Sequence, residues 1–381
     1  MRIDHYFDYA ATSVNKPVCV REAVCQALER SGNPGRGVHA PALFAAETVY
    51  VARERIANLL GAGDPARIAF TMNATQALNT AIKGLIRPGD HVVTTVLEHN
   101  SVLRPLYEMR ERGTALTIAG CDEYGNVDYD QVEKAAGKET RAIVCTHASN
   151  LTGNVVNLAR MREIADRCGC LLIVDASQTA GALPTDVLAS GIDVLCFTGH
   201  KSLLGPQGTG GLYVREGLKV RPLLSGGSGF ASFSEKHPEI MPEALEAGTL
   251  NVHGIAGLSA AADYLLQKGI DAICREEEHL AQLFYEEIRG ISDIRIYGDH
   301  RPGAERVPII SLNLGDADSS YVSDLLFTEY GICTRPGAHC APLMHKALRT
   351  EDQGAVRFSF SFLNTEEEIL RAARALREIA G

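Results

Sequence analysis

Residues 171–214 read LLIVDASQTAGALPTDVLASGIDVLCFTGHKSLLGPQGTGGLYV, and their punctuation decides the fold. Leu171 to Val174 is a short apolar run with a carboxylate, Asp175, where it ends. Asp193 to Phe197 is a second run, closed by Thr198-Gly199-His200-Lys201. A Gly-rich third run ends at Val214. Apolar runs of this length between polar turns suit buried parallel strands. In an open α/β sheet, ligands collect beyond the carboxyl ends of the strands, so Asp175 and Lys201 are expected together at that edge.

A carboxylate and an amine so placed suit pyridoxal phosphate (PLP). That cofactor needs a Lys amine for its Schiff base and an acid partner that keeps the pyridine nitrogen protonated. Gln178, three residues after Asp175, is within reach of the ring hydroxyl. Taken singly, Asp175 reads better as a helix cap and Lys201 as a solvated side chain. The apolar strands before each, the polar Thr198 and His200 and the glycines that follow tip the reading toward the cofactor.

Upstream, strand and helix patterns alternate from about residue 66 to 200, which predicts a mostly parallel sheet with helices on both faces. Strands are expected at 67–71, 91–95 and 141–146, and helices at 17–29, 43–60, 77–85 and 161–167. The turn 72–76, MNATQ, leads from a strand into a helix, where free backbone N–H groups and the helix dipole favour an anion. Ala74 and Thr75 are the expected phosphate contacts there, although Thr75 alone reads as a cap. The Gly/Pro-rich loop SGNPGRGVHAPAL, 31–43, holds Arg36 and His39 and is long enough to wall a site.

The motifs FDYAAT (7–12), VDASQTAG (174–181), TGHKSLLGPQGTGGLYV (198–214) and VRFSFSFLNTEEEI (356–369) closely resemble the class V aminotransferases, fold-type I PLP enzymes. Within that family the resemblance is to the cysteine desulfurases and selenocysteine lyases with a short active-site loop. It implies a large PLP-binding domain, 15–255, and a smaller α+β domain formed by 256–381 with the segment 1–14. It also implies that His99 stacks on the pyridine ring and moves protons, and that Asn150 lies near the ring hydroxyl and the substrate carboxylate. Thr198 and His200 flank the cofactor. His39, Arg335 and Arg357 contact substrate, Arg357 through a planar fork suited to a carboxylate. Thr249 in EAGT would reach the phosphate of a partner subunit, which implies a homodimer with shared sites; by position alone it reads equally as a cap for a helix at 255–267.

GICTRPGAHCAPLMH, 331–345, carries the reaction type. Cys340 matches the family's nucleophile, which would take sulfur from L-cysteine, leave alanine, and pass a persulfide to an acceptor protein or small thiol. His339 and Arg335 would favour the thiolate by positive charge. Relatives often have a second His where this chain has Ala338, which leaves selenocysteine lyase, another C–S lyase or an aminotransferase as alternatives; a non-catalytic sulfur-carrier scaffold is a remote one.

Composition bounds the rest. A chain of 381 residues exceeds what one core usually serves. With net charge −10 and no basic stripe, nucleic acid is not an expected partner. No apolar run is long enough for a bilayer, and the polar start MRIDHYFDYAAT lacks a signal-peptide core, so a cytoplasmic location is expected. Thiols stay reduced there, and nine of the ten cysteines are expected to be structural. Cys168-Gly-Cys170 has no second pair at zinc spacing, and no metal is expected. Residues 225–248, rich in Gly, Ser and Pro, are a candidate mobile loop.

Overall fold

The computed structural model describes residues 3–35, 37–229 and 232–381. Seven strands form the main sheet: β1 (Ile68–Thr71), β2 (His91–Thr95), β3 (Ala115–Ala119), β4 (Thr140–Thr146), β5 (Leu171–Asp175), β6 (Val194–Thr198) and β7 (Gly210–Val214). Their order is β1-β7-β6-β5-β4-β2-β3. Pairing is parallel from β3 through β2, β4 and β5 to β6, whereas β7 runs antiparallel to both neighbours. The expected mostly parallel sheet is therefore present. β5, β6 and β7 are buried along their whole lengths, which is why they lack the polar alternation of a half-exposed strand. β3 has an exposed or half-buried surface over most of its length, and no expected strand corresponded to it.

Helices α1 (Val18–Arg30), α2 (Ala40–Leu59), α3 (Ala74–Leu85), α4 (Asn100–Glu111), α5 (Tyr129–Ala135), α6 (Leu158–Cys168) and α7 (Val252–Lys268) accompany this sheet. α7 packs on α1 and α2, and its Val252, Ile255, Leu258 and Leu265 join the large core. The expected domain boundary at 255 thus falls inside a helix.

A second sheet, β10-β9-β8, is antiparallel: β8 (Ile294–Tyr297), β9 (Ile309–Leu314) and β10 (Val356–Ser359). α8 (Ile270–Ile288), α9 (Ser319–Tyr330) and α11 (Glu366–Ala380) complete this part, while α10 (Pro342–Leu348) buries Met344 and Leu348 in the large core. α11 starts on a reciprocal capping box between Thr365 and Glu368. Its core holds Leu280, Phe284, Phe358 and Leu376 together with Phe7 from the N-terminal segment. Phe7 packs edge-on against Phe360 at 5.6 Å between ring centroids. Phe7 of the N-terminal segment therefore belongs to the second core.

Residues 225–248 form neither helix nor strand among the described residues. Among the described residues, no helix is long and apolar enough to cross a membrane.

Glu277 of α8 lies wholly inside, with one oxygen accepting the N–H of Phe362 at 3.3 Å and the other unpartnered. Burial pushes its carboxyl up to about 8. The unfolded chain releases this proton near the ordinary carboxyl range and the folded chain near 8. Stability is thus lost as pH rises between these values. Glu277→Gln removes the penalty, so its melting-temperature advantage over wild type should grow by several degrees between pH 5 and 8. A pH-independent difference would contradict the assignment.

Candidate active site

The parallel register aligns Thr146 of β4 with Asp175 of β5, and Asp175 with Cys196 of β6. Three carboxyl ends therefore open on one cavity of about 330 Å³. β5 brings Asp175, whose Oδ1 accepts the Ser177 N–H at 2.9 Å and the Ser177 hydroxyl at 2.5 Å. Gln178 follows, its Nε2 donating to the carbonyl of Ala10 at 3.1 Å. β6 brings Thr198, then His200 and Lys201 in the turn beyond.

Burial holds the Lys201 amine down to about 8; Asp175 opposes the shift, while Arg357 and Arg335 add to it. His99 caps α4, and its Nδ1 accepts the Ser101 N–H at 3.0 Å, which puts the ring proton on Nε2. Burial, then Lys201, hold this imidazole down to about 4, so it is neutral at physiological pH. Ser101 also bonds Thr75 at 2.9 Å, tying His99 to the first turn of α3. Asn73, Ala74 and Thr75 at that helix end line the cavity. Gly210 packs so closely on it that a Cβ there would stand 2.8 Å from the Asn73 Cα.

The second sheet closes the cavity. Arg335 and Arg357 are antiparallel partners, and both reach it. Arg357 is 2% exposed; its Nη1 donates to the Asn150 carbonyl at 2.9 Å, and its Nε has no partner. The Asn150 side chain donates to the His339 carbonyl at 2.7 Å, and the Asn100 N–H donates to the Cys340 carbonyl at 2.8 Å. Two bonds thus clamp the 339–340 loop on the large domain. His339 and Cys340 both adopt left-handed backbone, with φ of 49° and 55°. Cys340 is exposed and lines the cavity, whereas Cys145, Cys170 and Cys196 are buried.

Lys201, Asp175, Gln178, Thr198, His200, His99, Ala74, Thr75, Asn150, Arg335, Arg357 and Cys340 are thus brought together. His39 and Thr249 are not: they line a separate cavity of about 930 Å³ in the same chain. His39 is exposed and caps α2, its Nδ1 accepting the Ala42 N–H at 3.4 Å, so within one chain the expected substrate contact is absent. Arg36 lies outside the described residues. Thr249 does not cap α7, which starts on the Asn251 side chain.

His339 also differs from expectation. Its Nε2 donates to the Arg335 carbonyl at 3.0 Å, and burial beside Arg357 holds its pKa well below the ordinary value. The ring is neutral, so positive charge near Cys340 comes from the guanidiniums. Asp8, Ser101 and Ser177 were missed; FDYAAT and the cap spacing after His99 held the signal for the first two.

These residues fit pyridoxal phosphate. The Thr198 hydroxyl is buried without a partner, a condition a bound acceptor or donor would relieve. A helix N-terminus suits the phosphate, Asp175 the pyridinium, and Lys201, whose pKa is lowered, the aldehyde carbon. Such a constellation at the carboxyl edge of a mostly parallel sheet defines a PLP-type cleft.

The chain belongs to the class V aminotransferase family, whose model matches residues 5–371. The family is PLP-dependent. The chain is 36% identical to a probable cysteine desulfurase of Methanothermobacter thermautotrophicus, over 99% of this chain and 95% of that protein. Its fold matches the apo cysteine desulfurase of Thermococcus onnurineus with a TM-score of 0.92 and 32% identity, covering 99% of this chain and 94% of that one. The cysteine desulfurase CsdA of Escherichia coli matches with a TM-score of 0.89 and 30% identity, at the same coverages.

Free Lys201 amine is the form that captures the cofactor. With its pKa held to about 8 rather than near 10.5, that form makes up half of the protein at about pH 8 and nearly all of it one pH unit higher. PLP uptake by apoprotein, followed by visible absorbance, should accelerate up to about pH 8–9 and then level off. A rate still climbing at pH 10 would contradict this. Lys201→Ala should never develop a band fixed by borohydride.

Proposed function

We propose that the chain is a PLP-dependent cysteine desulfurase that converts L-cysteine to L-alanine and holds the sulfur as a persulfide on Cys340. One observation carries the reading: the exposed thiol of Cys340 shares a single cavity with Lys201, Asp175 and Arg357. An aminotransferase has no use for a thiol there. The names of the relatives point the same way.

Bound PLP supplies an electron sink for the Cα of an amino acid joined to it through its amine. The chain's residues do the rest. Arg357 receives the substrate carboxylate, its unpartnered Nε–H gaining an acceptor. Lys201 removes and returns a proton at Cα. His99, neutral and protonated on Nε2, covers the ring. Cys340 thiolate bonds to the substrate sulfur as the Cβ–S bond breaks. The bonding pair stays on carbon, which gains a proton to become the methyl of alanine. Cysteine and one protein thiol give alanine and one protein persulfide, with no outside oxidant or reductant.

The face that carries His39 and Thr249 supports a homodimer in which each chain completes its partner's site. An acceptor protein or small thiol then removes the sulfur. The two cores support division into a PLP-binding domain and a smaller C-terminal domain joined by the N-terminal segment. The reading includes a cytoplasmic location, where reduced thiols are retained.

Cys340→Ala should keep the PLP absorbance and lower alanine release from L-cysteine by at least about a hundredfold. Alanine formation with undiminished rate would remove Cys340 from the chemistry. If the variant still acts on L-selenocysteine while wild type ignores L-cysteine, the protein is a selenocysteine lyase instead.

A further inference from the structure

The N-terminal segment carries a carboxylate that the reaction as described does not use. Asp8 is buried and is held by parallel bridges on either side, Tyr6 with Cys333 and Asp8 with Ser359. Both of its oxygens accept the Arg335 Nε–H, at 3.1 and 3.0 Å, and Oδ2 lies 2.8 Å from Arg335 Nη2. Oδ1 also accepts from Arg357 Nη2 at 3.1 Å. Without Asp8 the two arginines would be directly opposed like charges across a β-bridge, an unfavourable arrangement.

The charge count has a consequence for the ligand. Two guanidiniums and one carboxylate leave a single net positive charge. Arg357 gives one amino group to Asn150 and one hydrogen bond to Asp8, and it keeps a buried Nε–H with no acceptor. One net charge and an unmet donor complement one carboxylate. A dianion would need the second charge, which Asp8 already cancels.

We propose that Asp8 is a positioning and specificity-determining residue, which fixes Arg335 and Arg357 side by side and restricts the clamp to ligands bearing a single carboxylate. The proposal rests on the reading of Arg357 as the substrate-carboxylate site. Asp8 itself touches no reacting atom and acts through the two guanidiniums.

The test is equilibrium binding of acetate and of sulfate to PLP-loaded protein by calorimetric titration, which needs no turnover. Wild type should prefer acetate. Asp8→Asn, close in shape but uncharged, should shift the sulfate-to-acetate affinity ratio toward sulfate by about fivefold or more. A smaller shift, or an equal loss of both affinities as a merely structural role would give, overturns the proposal. Should that variant fail to fold, Arg335→Gln decides the matter. With Asp8 kept, it removes the remaining net charge, and acetate affinity should fall by about fivefold or more; a smaller loss overturns the proposal. If wild type releases no alanine from L-cysteine, the desulfurase reading fails, while the anion titration still decides the role of Asp8.

Discussion

The ion pairs of Asp8 with Arg335 and Arg357 join three segments that are remote in sequence, and the geometry of the cleft depends on them. The large sheet brings the cofactor-directed groups to its carboxyl edge by parallel register alone. Arg357 comes from β10 of the second sheet and Arg335 from a segment bridged to it, so two like charges meet. A carboxylate from the chain's first residues makes that meeting favourable. Cys340 follows Arg335 by five residues, so the position of the thiol is inherited from the same pairing. Desolvated charges such as Asp8 and Arg357 are costly unless paired and hydrogen-bonded, and here they are paired with each other. Arg357, which lines the cleft, keeps a buried Nε without a partner.

Burial sets the protonation of the cleft in one direction. His99 and His200 are both held down to about 4, and Lys201 to about 8. Each shift removes positive charge where two guanidiniums already stand. The outcome is a site with neutral imidazoles, an amine with a lowered pKa, and fixed cations at Arg335 and Arg357. That division suits proton movement at Cα beside firm retention of the amino acid.

Much of this was legible in the sequence. Strands 171–175 and 194–198 were readable because full burial leaves uninterrupted apolar runs, and Asp175 and Lys201 follow from where those runs end. β3 was not, since ALTIA is short and only its last residue is buried. His39 was assigned to the cleft from its neighbours in a motif, whereas the fold leaves it capping α2 beside a separate cavity. The lowered pKa of His339 comes from burial and from Arg357, which only the fold brings near, while the Arg335 carbonyl opposes it. Asp8 was part of a recognised motif, yet its partners lie more than three hundred residues away, and no local pattern announces them.

The central claim is that the thiol brought by the second sheet receives the sulfur. The most direct measurement is peptide mass spectrometry of PLP-loaded protein after one equivalent of L-cysteine, quenched by alkylation, with alanine counted in parallel. The account predicts one added sulfur atom on the peptide containing Cys340, in proportion to the alanine released. Alanine released with the extra sulfur on another cysteine, or with free sulfide and none on the protein, would contradict it.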